Sequence, residues 1–255
     1  MKNDNKISAL LITFNEVNHI DDVINNINFA NEIIVIDSFS NDGTFEKLLK
    51  FKHVKTIQHP FKNFADQRNY ALNQAKFKWV LFIDADERIT PKLKDEILKE
   101  INIKQNTVAF KFKRLFIFKN KKIRFSGFQT DKTYRLFKKG HIVYNENKIV
   151  HELPIINGST KVLKNKMIHY SFKTGEQYKT KMERYASLKA LELYNKGRKA
   201  SIFHFTFRPL YKFLVNYIIR LGVLDGKEGF QLCYLGAYGV YYRYCELQKL
   251  WKTKS

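Results

Sequence analysis

The chain has 255 residues, 44% of them apolar, and carries a net charge of +22. That length fits one α/β domain, or one domain with an appendage, and the apolar share is enough for a core, so wholesale disorder is excluded. Cys233 and Cys245 are too few and too far apart for a disulfide framework, which points to a reducing compartment.

The opening stretch MKNDNKISALLITFNE has too short an apolar run to read as a signal peptide, so a cytoplasmic protein is expected. Ile7 to Thr13 reads as a buried strand, and Val17 to Phe29, with Ile20, Val23, Ile24 and Ile27 at three- and four-residue spacings, as a helix. Ile33 to Ile36 is a second buried strand ending at Asp37. Asp42-Gly43 turns the chain into a short helix over Thr44 to Phe51. Lys55 to Gln58 is a brief third strand, Phe64 to Ala75 a helix, and Trp79 to Ile83 a fourth strand. Strands that are apolar throughout, separated by helices, predict a mostly parallel sheet covered on both faces. Ligands of such sheets bind beyond the carboxyl ends of the strands. Thr13-Phe14-Asn15-Glu16, Asp37-Ser38 and Asp84-Ala85-Asp86 all fall there. Thr90-Pro91 opens a helix to about Ile101. Val108 to Phe118, Lys132 to Phe137 and His141 to Tyr144 look extended and predict mixed or antiparallel sheet, and from Glu176 onward the pattern is helical.

Two carboxylates one residue apart at the mouth of a sheet can turn to one divalent cation. Mg2+ and Mn2+ take oxygen ligands, commonly one or two carboxylates plus substrate phosphates. A solvated acidic turn, with Glu87 at the start of the Pro91 helix, is the plainer alternative.

The motifs Thr13-Phe14-Asn15-Glu16, Asp37-Ser38-Phe39-Ser40-Asn41-Asp42-Gly43-Thr44, Phe64-Ala65-Asp66-Gln67-Arg68-Asn69 and Asp84-Ala85-Asp86-Glu87 stand in that order. Together they resemble the family 2 glycosyltransferases of the GT-A fold, within them the lipopolysaccharide-core β-1,4-glucosyltransferase group. Val150-His151-Glu152 and Leu221-Gly222-Val223-Leu224-Asp225-Gly226 carry the resemblance into the later part, so that it covers nearly the whole chain.

The resemblance implies a GT-A catalytic domain over residues 1–175, with a nucleotide-sugar half at about 1–103 and an acceptor half at about 104–175, followed by a basic, aromatic-rich helical extension over 176–255. It implies a nucleotide-sugar donor, most often a UDP-sugar, with UDP-glucose expected here, and a lipid-linked or lipopolysaccharide-core glycan acceptor. Thr13, Phe14, Asn15 and Glu16 would lie at the donor, with Phe14 against the base. Asp37 would hydrogen-bond the base, Arg68 would sit near base or diphosphate, Asp84 would touch ribose or metal, and Asp86 would bind Mg2+ or Mn2+ directly.

Transfer with inversion needs a base opposite the leaving group. Glu152 is the candidate and Glu87 the rival. His151 is a possible further metal ligand, and His169 another. Arg135 is read equally as a phosphate-steering residue or an ordinary strand arginine.

From Lys161 onward 19 Lys and Arg face 6 Asp and Glu. Such a field attracts a polyanion such as nucleic acid, anionic lipid or a phosphorylated glycan. A Lys-rich composition with solvated lysines accounts for the total charge equally well. Phe203, Phe207, Leu210, Leu214, Tyr217 and Leu221 make one apolar helical stripe, with Arg208, Lys212 and Arg220 on another face and Pro209 in the first turn. A second helix follows Gly226. Neither reads as membrane-spanning. They suit peripheral docking on the inner face of the cytoplasmic membrane, or packing on the protein itself. No nucleic-acid motif is present, which argues against a basic RNA-binding module. Transfer to polyprenyl phosphate is a further alternative.

Overall fold

The computed structural model describes residues 5–145 and 154–253. The chain forms two compact units. The first comprises residues 1–114 and 132–169, the second residues 115–131 and 170–255.

The first unit opens with β1 (Ile7–Thr13), α1 (Ile20–Asn26), β2 (Glu32–Asp37), α2 (Thr44–Leu49), β3 (Val54–Gln58), α3 (Phe64–Gln74) and β4 (Trp79–Phe82). β3, β2, β1 and β4 are neighbours in that order and all parallel, as the buried apolar runs require. Every residue of β4 is buried, and all of β1 except the partly buried Ile12. One face of the sheet packs on α1 and on α4 (Pro91–Asn102), through Leu11, Val35, Leu81, Ile24, Leu93 and Ile97. The other packs on α3 through Leu10, Ile34, Val80, Ala71 and Leu72.

α1 is shorter than its apolar spacing predicts. Residues before it form a loop tied to the next one, the Glu16 amide donating to the Thr44 hydroxyl and the Val17 amide to the Asp42 carboxylate, and the helix begins at Ile20.

Beyond β4 lie β5 (Glu87–Arg88), β6 (Thr107–Phe118), β7 (Lys121–Ile123), β8 (Lys132–Lys138), β9 (Ile142–Tyr144), β10 (Pro154–Ile156) and β11 (Ser159–Phe172). β8 pairs antiparallel with both β4 and β6, as the middle third predicts. β11, 14 residues long, is a strand that the sequence pattern does not announce. Only Leu163 and Met167 within it are buried, so no apolar run marks it.

The second unit is built on α5 (Gly175–Asn195), α6 (Ile202–Leu214) and α7 (Gly226–Thr253). Phe116, Phe118 and Ile123 pack there with Tyr178, Leu232 and Leu235. The predicted single helix over 203–221 is corrected on two points. Pro209 lies inside α6, not in its first turn, and has no N–H to give the carbonyl of Phe205. α6 then ends at Leu214 and passes into a π-turn over Val215–Ile219, before Leu221 takes a left-handed φ of 56°. Among the described residues no helix is long and apolar enough to cross a membrane.

Candidate active site

β1 and β2 run in register, with Thr13 opposite Asp37, so their carboxyl ends finish level. Asp37 is fully buried there. Its carboxylate accepts from the Ser40 amide at 3.0 Å, the Ser40 hydroxyl at 2.5 Å and the Thr13 hydroxyl at 3.3 Å. The two loops are then stitched together. The Asn15 amide donates to Ser40 Oγ at 2.9 Å, and the Asn41 amide to Asn15 Oδ1 at 3.0 Å. Asn15 reaches this position at φ 57°, a conformation that Asn adopts more readily than most residues. Glu16, partly exposed, hands its amide to Thr44 Oγ1. Phe14 stands out from the loop with 57% of its surface exposed. An aromatic ring held out at the end of a buried strand offers a face to a planar ligand.

At the end of β4 the chain turns through Ile83-Asp84-Ala85-Asp86 into β5, which pairs with β11 so that Glu87 lies opposite His169. That register brings His169 Nε2 to 3.2 Å from Asp86 Oδ2. Arg135 arrives from β8. Pairing between β6 and β8 steps from Phe110–Leu136 to Lys111–Tyr134, which leaves Arg135 as the unmatched residue of a bulge. Bulges of this kind re-aim a side chain. Here the guanidinium bonds Asp84 Oδ2 and, at 2.7 Å, Glu87 Oε1. Glu87 also accepts from the Asp84 amide at 3.1 Å and has Arg114 at 3.6 Å. Arg88 braces the turn from below, donating to the carbonyls of Ala85 and Glu87, both at 2.7 Å.

Burial raises the Asp84 carboxyl, but Arg135 and then Arg68 outweigh it and hold it at about 2. Burial pushes the Glu87 carboxyl up, against the opposing pull of Arg135. Arg68 lies 3.5 Å from Asp84 Oδ1 and rests over the rings of Phe82 and Tyr144. Asn69 fixes the Tyr144 backbone by hydrogen bonds in both directions.

The predicted residues therefore separate into groups. Asp84, Asp86, Glu87, Arg68, Arg135 and His169 converge, while Thr13, Phe14, Asn15, Glu16 and Asp37 form the neighbouring loop pair. Glu87 does not start the following helix, whose N-cap is Thr90 and whose first turn holds no acid. Nor has it any surface open to an incoming hydroxyl: it is fully buried and occupied by Arg135. Glu152 and His151 lie outside the described residues. Sequence reading overlooked Arg114 and Tyr144 and left the role of Arg135 open. Their signal is strand register, which single-sequence patterns do not carry.

Among the described residues no three His, Cys, Asp or Glu side chains converge as a ready-made metal cage. The pair that is present still fits a hard divalent cation. Asp84 is engaged by two guanidiniums, whereas the partly exposed Asp86 carboxylate and the His169 nitrogen adjoin. Such ions commonly draw their other ligands from phosphates and water.

The model of glycosyl transferase family 2 matches residues 8–215. A Rickettsia felis protein described as an uncharacterized glycosyltransferase is 30% identical over 98% of this chain and 92% of its own length. The lipopolysaccharide core biosynthesis glycosyltransferase LpsC of Rhizobium meliloti is 22% identical over 93% of both chains. Among solved structures, a mannosyltransferase from Pyrobaculum calidifontis in complex with GDP-Man and Mn2+ superposes with a TM-score of 0.57. The match has 13% identity and covers 99% of this chain and 90% of that one. The parallel β3-β2-β1-β4 sheet with acids at its strand ends is thus the GT-A fold of a glycosyltransferase. The chain belongs to glycosyl transferase family 2.

Proposed function

We propose that this enzyme moves a sugar, with UDP-glucose as the expected donor, onto a lipid-linked glycan of the lipopolysaccharide-core kind, with inversion at the anomeric carbon. The observation that carries this reading is the Asp86–His169 pair beside the clamped Asp84 at the end of β4, in a family 2 chain. The GDP-Man and Mn2+ held by the Pyrobaculum calidifontis protein support a nucleotide-sugar donor and a divalent cation, and the name of the Rhizobium meliloti relative supports the acceptor class.

In this reading Phe14 gives its exposed face to the base, and Asp37 serves the base through the loop it holds. Arg68 offers its guanidinium to the diphosphate and Asp84 its carboxylate to the ribose. Asp86 and His169 would hold Mg2+ or Mn2+, which when bound would supply positive charge to offset that of the diphosphate. The acceptor oxygen bonds to the anomeric carbon as the bond from that carbon to the diphosphate breaks. The nucleoside diphosphate leaves with the electron pair, and the hydroxyl proton passes to a carboxylate, for which Glu152 is the candidate.

A lipid-linked acceptor calls for an enzyme that docks at a bilayer surface. Ile202, Phe203, Phe207, Leu210, Tyr211 and Leu214 of α6 are all exposed, in a stretch of chain with a large cationic excess. Leu210 and Phe213 also line an apolar groove of 550 Å3 with Tyr234 and Tyr241 of α7, which suits an acyl chain. The enzyme then works at the inner face of the cytoplasmic membrane.

A thermal-shift panel of nucleotide sugars with and without Mn2+ tests the reading. UDP-glucose should raise Tm in a concentration-dependent way only with Mn2+, and Asp86→Ala should abolish that shift. If no nucleotide sugar stabilises the protein, or if metal and Asp86 make no difference, the reading fails.

A further inference from the structure

The second unit contains a cavity of 330 Å3, within the size range of small-ligand pockets. Three cations line it: Lys212 from α6, Arg220 just past the π-turn and Arg243 from α7. No Asp or Glu does. None of the three makes a side-chain ion pair among the described residues, although elsewhere in this unit lysines such as Lys121, Lys189 and Lys196 all have carboxylate partners. Burial lowers the Lys212 ammonium, and Arg220 and Arg243 lower it further, as expected for cations gathered without a counter-charge.

Two of the residues that line the cavity each carry a buried polar atom without a hydrogen-bond partner, Asn216 Oδ1 and Arg243 Nε. Asn216 is only 6% exposed. It lies in the π-turn that interrupts the helix, a local distortion found frequently at functional sites. Gly127, at φ 94°, closes against this group. A Cβ there would stand 3.1 Å from both Arg220 Nη1 and Asn216 Oδ1. A buried acceptor and a buried donor left open among three cations cost stability unless a ligand completes them.

We propose that this cavity binds a phosphorylated sugar, its phosphoryl group held by Lys212, Arg220 and Arg243 and one of its hydroxyls donating to Asn216 Oδ1. Inorganic phosphate at neutral pH could offer Asn216 Oδ1 only a P–OH that also sits among the cations, whereas a sugar phosphate brings a separate hydroxyl for that acceptor and keeps its three terminal phosphoryl oxygens for Lys212, Arg220 and Arg243. Resting on the acceptor reading above, the ligand is a phosphorylated residue of the acceptor glycan.

The probe is glucose 6-phosphate, titrated into the full chain by calorimetry and thermal shift, beside glucose, inorganic phosphate, UDP, and phosphatidylglycerol vesicles against phosphatidylcholine ones. Saturable binding of glucose 6-phosphate is expected, at least tenfold tighter than inorganic phosphate, with none for glucose and no displacement by UDP. Arg243→Gln and Lys212→Gln should each weaken it tenfold or more, Asn216→Leu should reduce the preference over inorganic phosphate, and Arg243→Lys should recover part of the binding. The UDP-sugar shift serves as the folding control for every variant. No saturable binding, or equal binding in the Gln variants, overturns the proposal. Equal affinity for inorganic phosphate overturns the sugar part. Displacement by UDP makes the cavity a donor site, and displacement by phosphatidylglycerol vesicles alone makes it a headgroup site; either overturns the acceptor assignment. A protein that binds glucose 6-phosphate but no nucleotide sugar would refute the transferase reading while leaving the cavity's ligand intact.

Discussion

Arg135 gives one guanidinium to two carboxylates, Asp84 and the fully buried Glu87. Arg135→Met would leave the Glu87 charge with the Asp84 amide and, among the described residues, Arg114 at 3.6 Å as its ion-pair partner. Breaking a buried pair in this way costs about 3–5 kcal/mol, which should appear as a lower urea midpoint. The double variant Arg135→Met with Glu87→Leu should recover a large part of that loss. Asp86→Asn, by contrast, removes no buried partner and should unfold at the same urea concentration as the parent while losing Mn2+-dependent turnover. Cys233 offers a separate check. It is buried, and burial pushes its thiol up, so it stays protonated and shielded at neutral pH. Native protein should therefore be alkylated at the partly exposed Cys245 well before Cys233, as read by peptide mass. At this scale the acids at the strand end were legible, because an apolar run that stops at Asp84 announces a buried strand meeting a site. The clamp on them was not. Arg135 and Glu87 lie 48 positions apart, and a bulge in β8 decides which way the arginine points.

The elements divide by how much of their stabilisation is local. β1, β2 and β4 are buried along nearly their whole length and could be read directly. β11 alternates lysines with a few apolar residues and owes its place to long-range ties, so its pattern passes for loop. One such tie joins it to α4: Lys161 Nζ lies 2.6 Å from Glu100 Oε1, and Gln105 donates to the same carboxylate. Burial raises the Glu100 carboxyl, but the hydrogen bonds from Lys161 and Gln105 outweigh it and hold it below 4.5. A carboxyl depressed in the folded state contributes stability fully above its unfolded value, and loses it as pH falls through the folded one. Denaturation midpoints should therefore fall less steeply below about pH 4.5 in Glu100→Gln than in the parent. In α5 the helix start is a reciprocal cap. The Gln177 amide donates to Thr174 Oγ1, and Gln177 Oε1 accepts from the Thr174 amide. Thr174→Ala should cost about 1 kcal/mol, measurable by urea titration. The misreading of α6 has a similar root. Its apolar period runs on past Leu214, but the backbone departs into a π-turn that no periodicity encodes.

Over the whole chain, apolar patterning and charge asymmetry gave different kinds of information. The first predicted the sheet of the first unit. The second marked the later third as unusual without showing that α6 turns much of its apolar stripe outward while Lys212 faces Arg243. Binding to vesicles should follow from both. Association with phosphatidylglycerol vesicles is expected to exceed that with phosphatidylcholine and to weaken as salt rises. Replacing Phe203, Phe207 and Leu210 together by Ser should weaken binding to both in a flotation assay, without changing the response to UDP-sugar.

The path of the chain through the second unit bears on biosynthesis. Phe116, Phe118 and Ile123 leave the ribosome more than a hundred residues before Leu232 and Leu235, the partners they bury against. Until α7 has emerged, these aromatic and aliphatic side chains have Tyr178 but lack the covering that Leu232 and Leu235 supply. A nascent chain paused before α7 should therefore be retained by a holding chaperone more than the full chain is, as read by co-purification of the stalled complex.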